Sequence, residues 1–147
     1  MKKTVIAAIV VASTALAAVA QQVKPEDQVK YRRAAYDLMG LNFGSLNAMA
    51  QGKKPFDKEE AARNAEFVAL LATVPQHYFG EGTDKDTKAK PAIWSHRPDF
   101  DGKMKHMIEE TAKLPAAVSG GDMAAFKQQV GDTGHACKSC HDDYRSK

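Results

Sequence analysis

The chain lacks most of the features that mark a disulfide-rich, zinc-binding, sheet-forming or membrane-spanning protein. It has only two cysteines, so no second cysteine pair is available for a zinc site of the four-cysteine type. No segment alternates apolar and polar residues as a strand does, and there is no internal repeat or low-complexity tract. The one long apolar run, at 5–19, is too short for a comfortable membrane span. These absences leave a small helical domain as the expected class.

The N-terminal twenty residues have the pattern of a secretory signal. Lys2 and Lys3 precede the uncharged run, and Ala18-Val19-Ala20 is a small-residue cleavage site. We therefore predict that residues 1–20 are a signal peptide, that cleavage precedes Gln21, and that residues 21–147 form one exported domain without membrane insertion. Losing the two signal lysines lowers the formal net charge from +3 to +1. A nearly neutral chain gives no reason to expect nucleic acid as a partner.

Four segments place apolar residues at helical spacing, which predicts an all-α, antiparallel up-down-up-down four-helix bundle. Pro25 suits a first helical turn, while Asp57 and Asp122 suit N-caps. Pro115 should kink the third helix or end it at Leu114. The predicted helices are A at Pro25–Ala50, B at 57–74, C at 99–118, and D from Asp122 to the C-terminal region.

The most specific pattern is Cys137-Lys138-Ser139-Cys140-His141, the C-x-x-C-H motif for covalent attachment of a c-type haem. Two thiols three residues apart lie on one helical face, where both can reach the two vinyl groups along one edge of the porphyrin. The histidine that follows is placed to bind the iron. Such attachment occurs outside the bacterial cytoplasm, so the motif and the signal support each other.

Three alternatives compete for the same cysteines. A redox dithiol needs a preceding strand, which the pattern does not provide. A zinc site would need His135 beside Cys137, Cys140 and His141, although these positions do not share one helical face. A plain disulfide also suits an exported chain. The register of His141 favours haem.

A single such motif near the C-terminus of an exported four-helix chain resembles the class II c-type cytochromes, and specifically the cytochrome c-prime family. The matching stretches cover nearly the whole exported chain: 24–27 with 29–32, 38–39, 79–80 with 82–83, Pro91 with 93–94, and 137–142 with 144–145. The resemblance implies a periplasmic protein with haem c, often a homodimer through helices A and B. It also implies five-coordinate iron, bound by His141, beside an apolar pocket that admits nitric oxide and carbon monoxide.

A sixth iron ligand would have to come from upstream of the motif, because none of the six residues after His141 is methionine or histidine. Methionine at helical spacing is usually core filling, and the histidines lie in polar stretches. We therefore expect an open position. The upstream candidates are Met39, Met49, Met104, Met107, His77, His96, His106 and His135.

Tyr36 stands where the family places the residue that covers the open haem face. Its phenol has three interpretations: a packed ring with a satisfied hydroxyl, a gate or hydrogen-bond donor to a bound gas, or a phenolate ligand. The last is the weakest, because tyrosine normally titrates near 10. Met39, one turn later, is a further expected pocket residue.

Arg32 falls on the inner seam of helix A, where a buried cation needs a partner. A haem propionate is the favoured partner, and the alternative is a side chain that extends to solvent at the end of the bundle. Arg33, Lys88 and Lys90 are weaker propionate candidates. Arg145, one turn after His141, is expected near the proximal face.

The connection between helices B and C, at 75–98, is long for a compact domain and carries Trp94. We expect this indole to cover a haem edge; ordinary core packing is the alternative, and the two are not exclusive.

Three functions are compatible with this pattern. The first is periplasmic gas binding, for nitric oxide protection, with some ability to exchange electrons. The second is a low-potential electron carrier in a respiratory or photosynthetic chain, with a sixth axial ligand and an unidentified redox partner. An enzyme such as a peroxidase is disfavoured, because it would need distal acid–base groups and Tyr36 alone is thin support.

Overall fold

The structure is a computed structural model that describes residues 23–147, so the predicted signal peptide lies outside the described residues. Four long helical columns form an antiparallel bundle, and the third column is interrupted. The bundle confirms the predicted all-α class. The α-helices are α1 (Pro25–Ala50), α2 (Lys58–Ala72), α3 (Ala92–Ser95), α4 (Arg97–Ala112), α5 (Leu114–Ser119) and α6 (Met123–Tyr144), and a short 3-10 helix covers Pro75–His77.

The helices begin where their capping residues predict. Pro25 opens α1, and the carboxylate of Asp57 accepts a hydrogen bond from the backbone N–H of Glu60 at 2.9 Å. Asp122 accepts from the N–H of Ala124 at 2.8 Å at the start of α6. Each side chain satisfies an amide that the first helical turn leaves without a partner.

The third column breaks earlier than predicted. Helix α4 ends at Ala112, two residues before Leu114, and α5 begins at Leu114 after Lys113. Pro115 has no N–H to continue the ladder. The missing N–H would have bonded the carbonyl of Thr111, four residues earlier. At the break itself, the carbonyl of Glu110 accepts from the N–H of Lys113 at 3.3 Å and from Nε2 of Gln129 at 3.0 Å. The helix also starts at Arg97 rather than at 99.

The connection after α2 is tied to the end of α6. An antiparallel bridge pairs Ala89 with Arg145. The N–H of Lys90 donates to the carbonyl of Tyr144 at 3.0 Å, and the N–H of Ser146 donates to the carbonyl of Lys88 at 2.8 Å. The long connection therefore packs along the C-terminal end of the bundle.

The core runs between the helices and mixes alanine and methionine with a few aromatic rings. In the part of the chain that the structure describes, no helix is both long and apolar enough to cross a bilayer. The most completely buried apolar side chains are Leu46, Ala61, Ala65, Val68, Ala72, Phe100, Leu114 and Phe126.

Candidate functional site

A cavity of about 770 Å³ opens between α1, α4 and α6, with part of the long connection at its rim. This volume lies within the range of small-molecule and cofactor sites, about 300–1,000 Å³. Its surface is mainly apolar, with a few charged side chains. The apolar lining includes Met39, Phe43, Val68, Phe79, Ile93, Phe100, Met104 and Met107.

Helix α6 contributes Cys137, Cys140 and His141 to the cavity wall. Both thiols are free and half-buried, one helical turn apart. Burial raises the pKa of Cys137, and it raises the pKa of Cys140 to about 11. The two cysteines are therefore protonated thiols that face a common apolar space rather than a disulfide.

His141 sits beside the thiols in a setting that favours neutral imidazole. Burial lowers its pKa, and the nearby positive charge of Arg145 lowers it further. Asp142 opposes the shift, but Lys138 Nζ binds its carboxylate. A neutral imidazole has the lone pair that a metal ligand needs.

The zinc alternative finds no support in the described residues. Between 23 and 147 there is no group of three or more histidine, cysteine or acidic side chains arranged to hold a metal ion. His135 is exposed and does not reach the cavity wall that carries the cysteines. The redox-dithiol alternative is no better placed, because the motif lies within a helix of 22 residues.

Five of the six predicted pocket residues line the cavity. The α1 side chains among them span two helical turns and face α6. These five are Arg32, Arg33, Tyr36, Met39 and Arg145.

Trp94, the sixth, is not on the cavity wall. Its indole N–H donates to the carbonyl of Gly80 at 3.1 Å, and its ring lies 6.4 Å from that of Phe79, centroid to centroid. Phe79 itself lines the cavity. Trp94 thus supports the wall from behind, because the short helix α3 turns the indole toward the connection.

Arg32 is buried, with only 2% of its surface exposed, which rules out a side chain extending to solvent. Its guanidinium donates to the carbonyls of Tyr78 at 2.9 Å and Thr83 at 2.6 Å, and to Oγ1 of Thr87 at 3.1 Å. The guanidinium carbon lies 4.4 Å from the centroid of the Phe79 ring. The arginine therefore fixes the connection against α1 while it lines the cavity.

The charge of Arg32 has no counter-ion among the residues that the structure describes. Its partners are neutral oxygens, and no carboxylate of 23–147 lies within ion-pair distance. Burial lowers its pKa. Of the weaker candidates, Lys88 lines the cavity, whereas Nζ of Lys90 donates to the carbonyl of Asp142 at 2.9 Å.

The hydroxyl of Tyr36 already has a partner, because it donates to the sulfur of Met104 at 3.5 Å. Burial raises the pKa of this phenol well above its ordinary value. Both observations disfavour the phenolate interpretation. The packed ring with a satisfied hydroxyl fits the geometry directly, and the gate or donor role stays a prediction.

The methionines and histidines considered as sixth ligands differ in whether they line the cavity. Met39, Met104 and Met107 line the cavity, whereas Met49 is buried elsewhere. Four histidines are exposed and lie away from this wall. They are His77, His96, His106 and His135.

Several site residues escaped sequence reasoning. Thr83 and Thr87 bind Arg32 from more than fifty positions away, and no local pattern marks them. The hydroxyl of Tyr144 donates to the carboxylate of Asp99, a pairing that no local pattern in the sequence indicates. Helical spacing can predict that the Tyr144 ring is buried, but its pairing with Asp99 depends on how α4 packs on α6.

The residues present fit a covalently bound haem. The cavity is apolar and large, two free thiols lie one turn apart on one wall, a neutral imidazole follows them, and a buried cation without a counter-ion faces the same space. A porphyrin with two carboxylates would meet each of these features.

Comparison with known proteins gives consistent matches over most of the chain. The family described as Cytochrome C' matches residues 27–145. Cytochrome c' of Rubrivivax gelatinosus is 45% identical over 126 residues, which cover 84% of this chain and 98% of that protein. The solved structure of cytochrome c prime from Shewanella frigidimarina is 40% identical with a TM-score of 0.83, covering 86% of this chain and 99% of that one.

A third match is the solved nitric oxide complex of a mutant of cytochrome c prime from Alcaligenes xylosoxidans. It is 38% identical, with a TM-score of 0.79, and covers 86% of this chain and 99% of that chain. The family match includes every residue of the cavity wall on α6.

Proposed function

Because the chain belongs to the cytochrome c' family, whose members carry covalently bound haem c, we propose that it is a periplasmic gas-binding protein for nitric oxide and carbon monoxide. The haem supplies an iron centre that binds one diatomic molecule and can change oxidation state. The proposed physiological role is capture of nitric oxide, as protection, outside the cytoplasm. The relative solved as a nitric oxide complex supports this assignment.

The observation that carries the proposal is the asymmetry of the cavity. His141 lies on the wall of α6, and the four other histidines are away from the cavity. The remaining walls are mainly apolar, with a tyrosine whose burial keeps it neutral and with a few charged side chains that include Arg32, Arg33 and Lys88. One side thus offers an imidazole to the iron, and the other offers a dry space to a small ligand.

The chain's own residues have distinct proposed roles. Cys137 and Cys140 hold the porphyrin edge through thioether bonds, and His141 binds the iron. Arg32 provides the positive charge for a propionate, supported by its burial and by the absence of a counter-ion in the described part of the chain. Arg145 adds to the effect of burial in lowering the pKa of His141.

Absorption spectra of the purified protein in both oxidation states test the proposal. High-spin ferric and ferrous spectra, with a ferrous form that binds nitric oxide and carbon monoxide, are expected. A protein without covalent haem would contradict the assignment at its base. A low-spin spectrum with a methionine–iron band would contradict the open position.

Electron transfer with a sixth axial ligand is the second candidate, favoured by the three methionines on the cavity wall. The same spectra separate the two functions. Met104 is the least available of the three, because its sulfur accepts the hydrogen bond of Tyr36. Since that hydroxyl is already engaged, it also gives little support to a peroxidase, which needs free acid–base groups. We propose no enzymatic activity.

A homodimer through α1 and α2 is proposed from the surface of these helices. Leu38, Leu41, Phe67 and Leu70 are each more than half exposed on α1 and α2. Large apolar side chains clustered on a surface typically mark an interface. Sedimentation analysis of the L41E protein is expected to give monomer where the wild type gives dimer. A monomeric wild type would contradict the proposal.

Export is proposed from the N-terminal pattern. The measurement is the intact mass of protein recovered from the periplasm, which is expected to begin at Gln21 and to include one haem. A mass that retains residues 1–20 would contradict it.

A further inference from the structure

The hydrogen bond between Tyr36 and Met104 joins two walls of the cavity. Tyr36 comes from α1 and Met104 from α4, and the hydroxyl lies 3.5 Å from the sulfur. Met104 is 3% exposed, so the bond is made inside the protein. The pair lies on walls other than the one that carries His141.

Tyr36 differs in its acceptor from the other hydroxyls that the helices bring to the cavity. Three of these donate to oxygen atoms: Thr111 to the carbonyl of Ile108, Thr133 to that of Glu110, and Tyr144 to the carboxylate of Asp99. Tyr36 donates to a thioether sulfur, which is a weak acceptor. Its proton is therefore the one most easily drawn to a better acceptor.

A phenol has a single proton to donate. If the hydroxyl binds the sulfur, it cannot also bind a ligand in the cavity, and the reverse holds too. Burial keeps the phenol protonated, so the donor is present at any physiological pH. A diatomic molecule with a terminal oxygen would be the competing acceptor.

We propose that Met104 sets how firmly the site holds a diatomic ligand, because its sulfur competes with that ligand for the hydroxyl of Tyr36. Met104 is on this account a positioning residue that acts through Tyr36. The inference rests on the proposed gas-binding function. It predicts two populations, one with the hydroxyl on the sulfur and one with the hydroxyl on the ligand.

The test uses the ferrous holoprotein with carbon monoxide, read by infrared spectroscopy. Wild type is expected to show two C–O stretching bands. M104L removes the acceptor at nearly constant volume, so only the lower-frequency band should remain, since a donor to the ligand oxygen weakens the C–O bond. Y36F should leave only the upper band. M49L, a swap at another methionine that is 3% exposed but away from the cavity, should keep both bands.

Dissociation rates give an independent reading. The rate of carbon monoxide release is measured by displacing it with nitric oxide. M104L should release carbon monoxide about 2- to 10-fold more slowly than wild type, the range expected for one gained hydrogen bond. In the Y36F background the M104L change should have no effect on the rate.

An equal effect of M104L in both backgrounds would assign it to shape rather than to the hydroxyl and would overturn the inference. The same single C–O band in wild type, M104L and Y36F would also overturn the inference. If M104L does not assemble, the comparison of wild type with Y36F is sufficient to decide this. A protein that binds no carbon monoxide would overturn the proposed function and the inference with it. Normal binding with unchanged rates overturns the inference alone.

Discussion

Arg32 and Glu110 are both buried charged side chains, yet the fold satisfies them differently. Glu110, 8% exposed, accepts from Nζ of Lys113 at 2.6 Å and from Nε2 of Gln129 at 2.9 Å. Arg32 donates only to neutral oxygens of the connection. The charge of Glu110 is thus balanced by a neighbouring lysine, whereas that of Arg32 has no counter-ion among residues 23–147.

The two surroundings explain this contrast. Glu110 lies near the break between α4 and α5. Its carboxylate accepts a hydrogen bond from Gln129, which holds this part of the bundle against α6. Arg32 stands on the cavity wall. We infer that the charge of Glu110 serves the fold, whereas Arg32 serves the fold through its hydrogen bonds and the cofactor through its charge. Four predictions test the distinction.

The largest expected effect is on stability when Arg32 is removed. R32M loses the hydrogen bonds to Tyr78, Thr83 and Thr87 and leaves buried carbonyls without a donor, which should cost roughly 2–4 kcal/mol in the free energy of unfolding. Guanidinium chloride unfolding of the holoprotein measures it. R32K, which keeps the charge but not the planar fork, should recover only part of the loss. Wild-type stability in R32M would show that the network adds nothing.

The reduction potential tests the charge itself. Removing a buried cation beside the cofactor favours the ferric form, so R32M should lower the midpoint potential by on the order of 50 mV. R32K should stay closer to wild type, and E110Q should not move the potential. Redox titration measures all three. Equal midpoint potentials in R32M and E110Q would contradict the inference that only the charge of Arg32 acts on the cofactor.

The effect of E110Q on stability should be smaller than that of R32M. Glutamine can still accept from Gln129 but loses the ion pair with Lys113, an interaction expected to be worth under about 1 kcal/mol. The same unfolding measurement checks it. A loss as large as that of R32M would mean that Glu110, too, is a strongly buried charge.

The smallest effect is a pH dependence that should be larger for Glu110 than for Arg32. The bond from Lys113 lowers the pKa of Glu110, so the folded state favours the carboxylate. Its stabilisation is full above the ordinary glutamate pKa of about 4.3 and is lost as pH falls through the lowered value. The difference in stability between wild type and E110Q should therefore shrink as the pH falls from 7 to 3.

Between wild type and R32M the share of the difference due to the hydrogen bonds of Arg32 should hold over the same interval, because the guanidinium stays protonated throughout. Any share due to a propionate should fall as that carboxylate becomes protonated. Unfolding curves at several pH values measure both differences. A constant difference for E110Q would contradict the assigned cause of its pKa shift.

The features predicted correctly from the sequence are those that depend on near neighbours. The starts of α1, α2 and α6 follow from Pro25, Asp57 and Asp122, because capping involves residues two or three positions apart. The placing of Cys137 and Cys140 on one wall follows from the helical period in the same way. Interactions between near neighbours were thus enough to predict the bundle and the helix face that carries both cysteines.

The features that were missed depend on distant pairs. Arg32 was identified as buried and in need of a partner, but its acceptors lie 46 to 55 residues away in an irregular connection. Trp94 was expected at a haem edge, yet the turn of α3 places it behind Phe79. The break near Pro115 was foreseen, but its position was not, because the capture of the Glu110 carbonyl by Gln129 is tertiary.

The bridge between Ala89 and Arg145 bears on the order in which the pocket is built. The rim segment 88–90 is held by backbone groups of Tyr144 and Ser146, which follow the cysteine motif along the chain. Translation supplies α1, α2 and the rim segment long before these groups exist. The contact between the rim segment and the end of α6 can therefore form only after the cysteine motif has been synthesised.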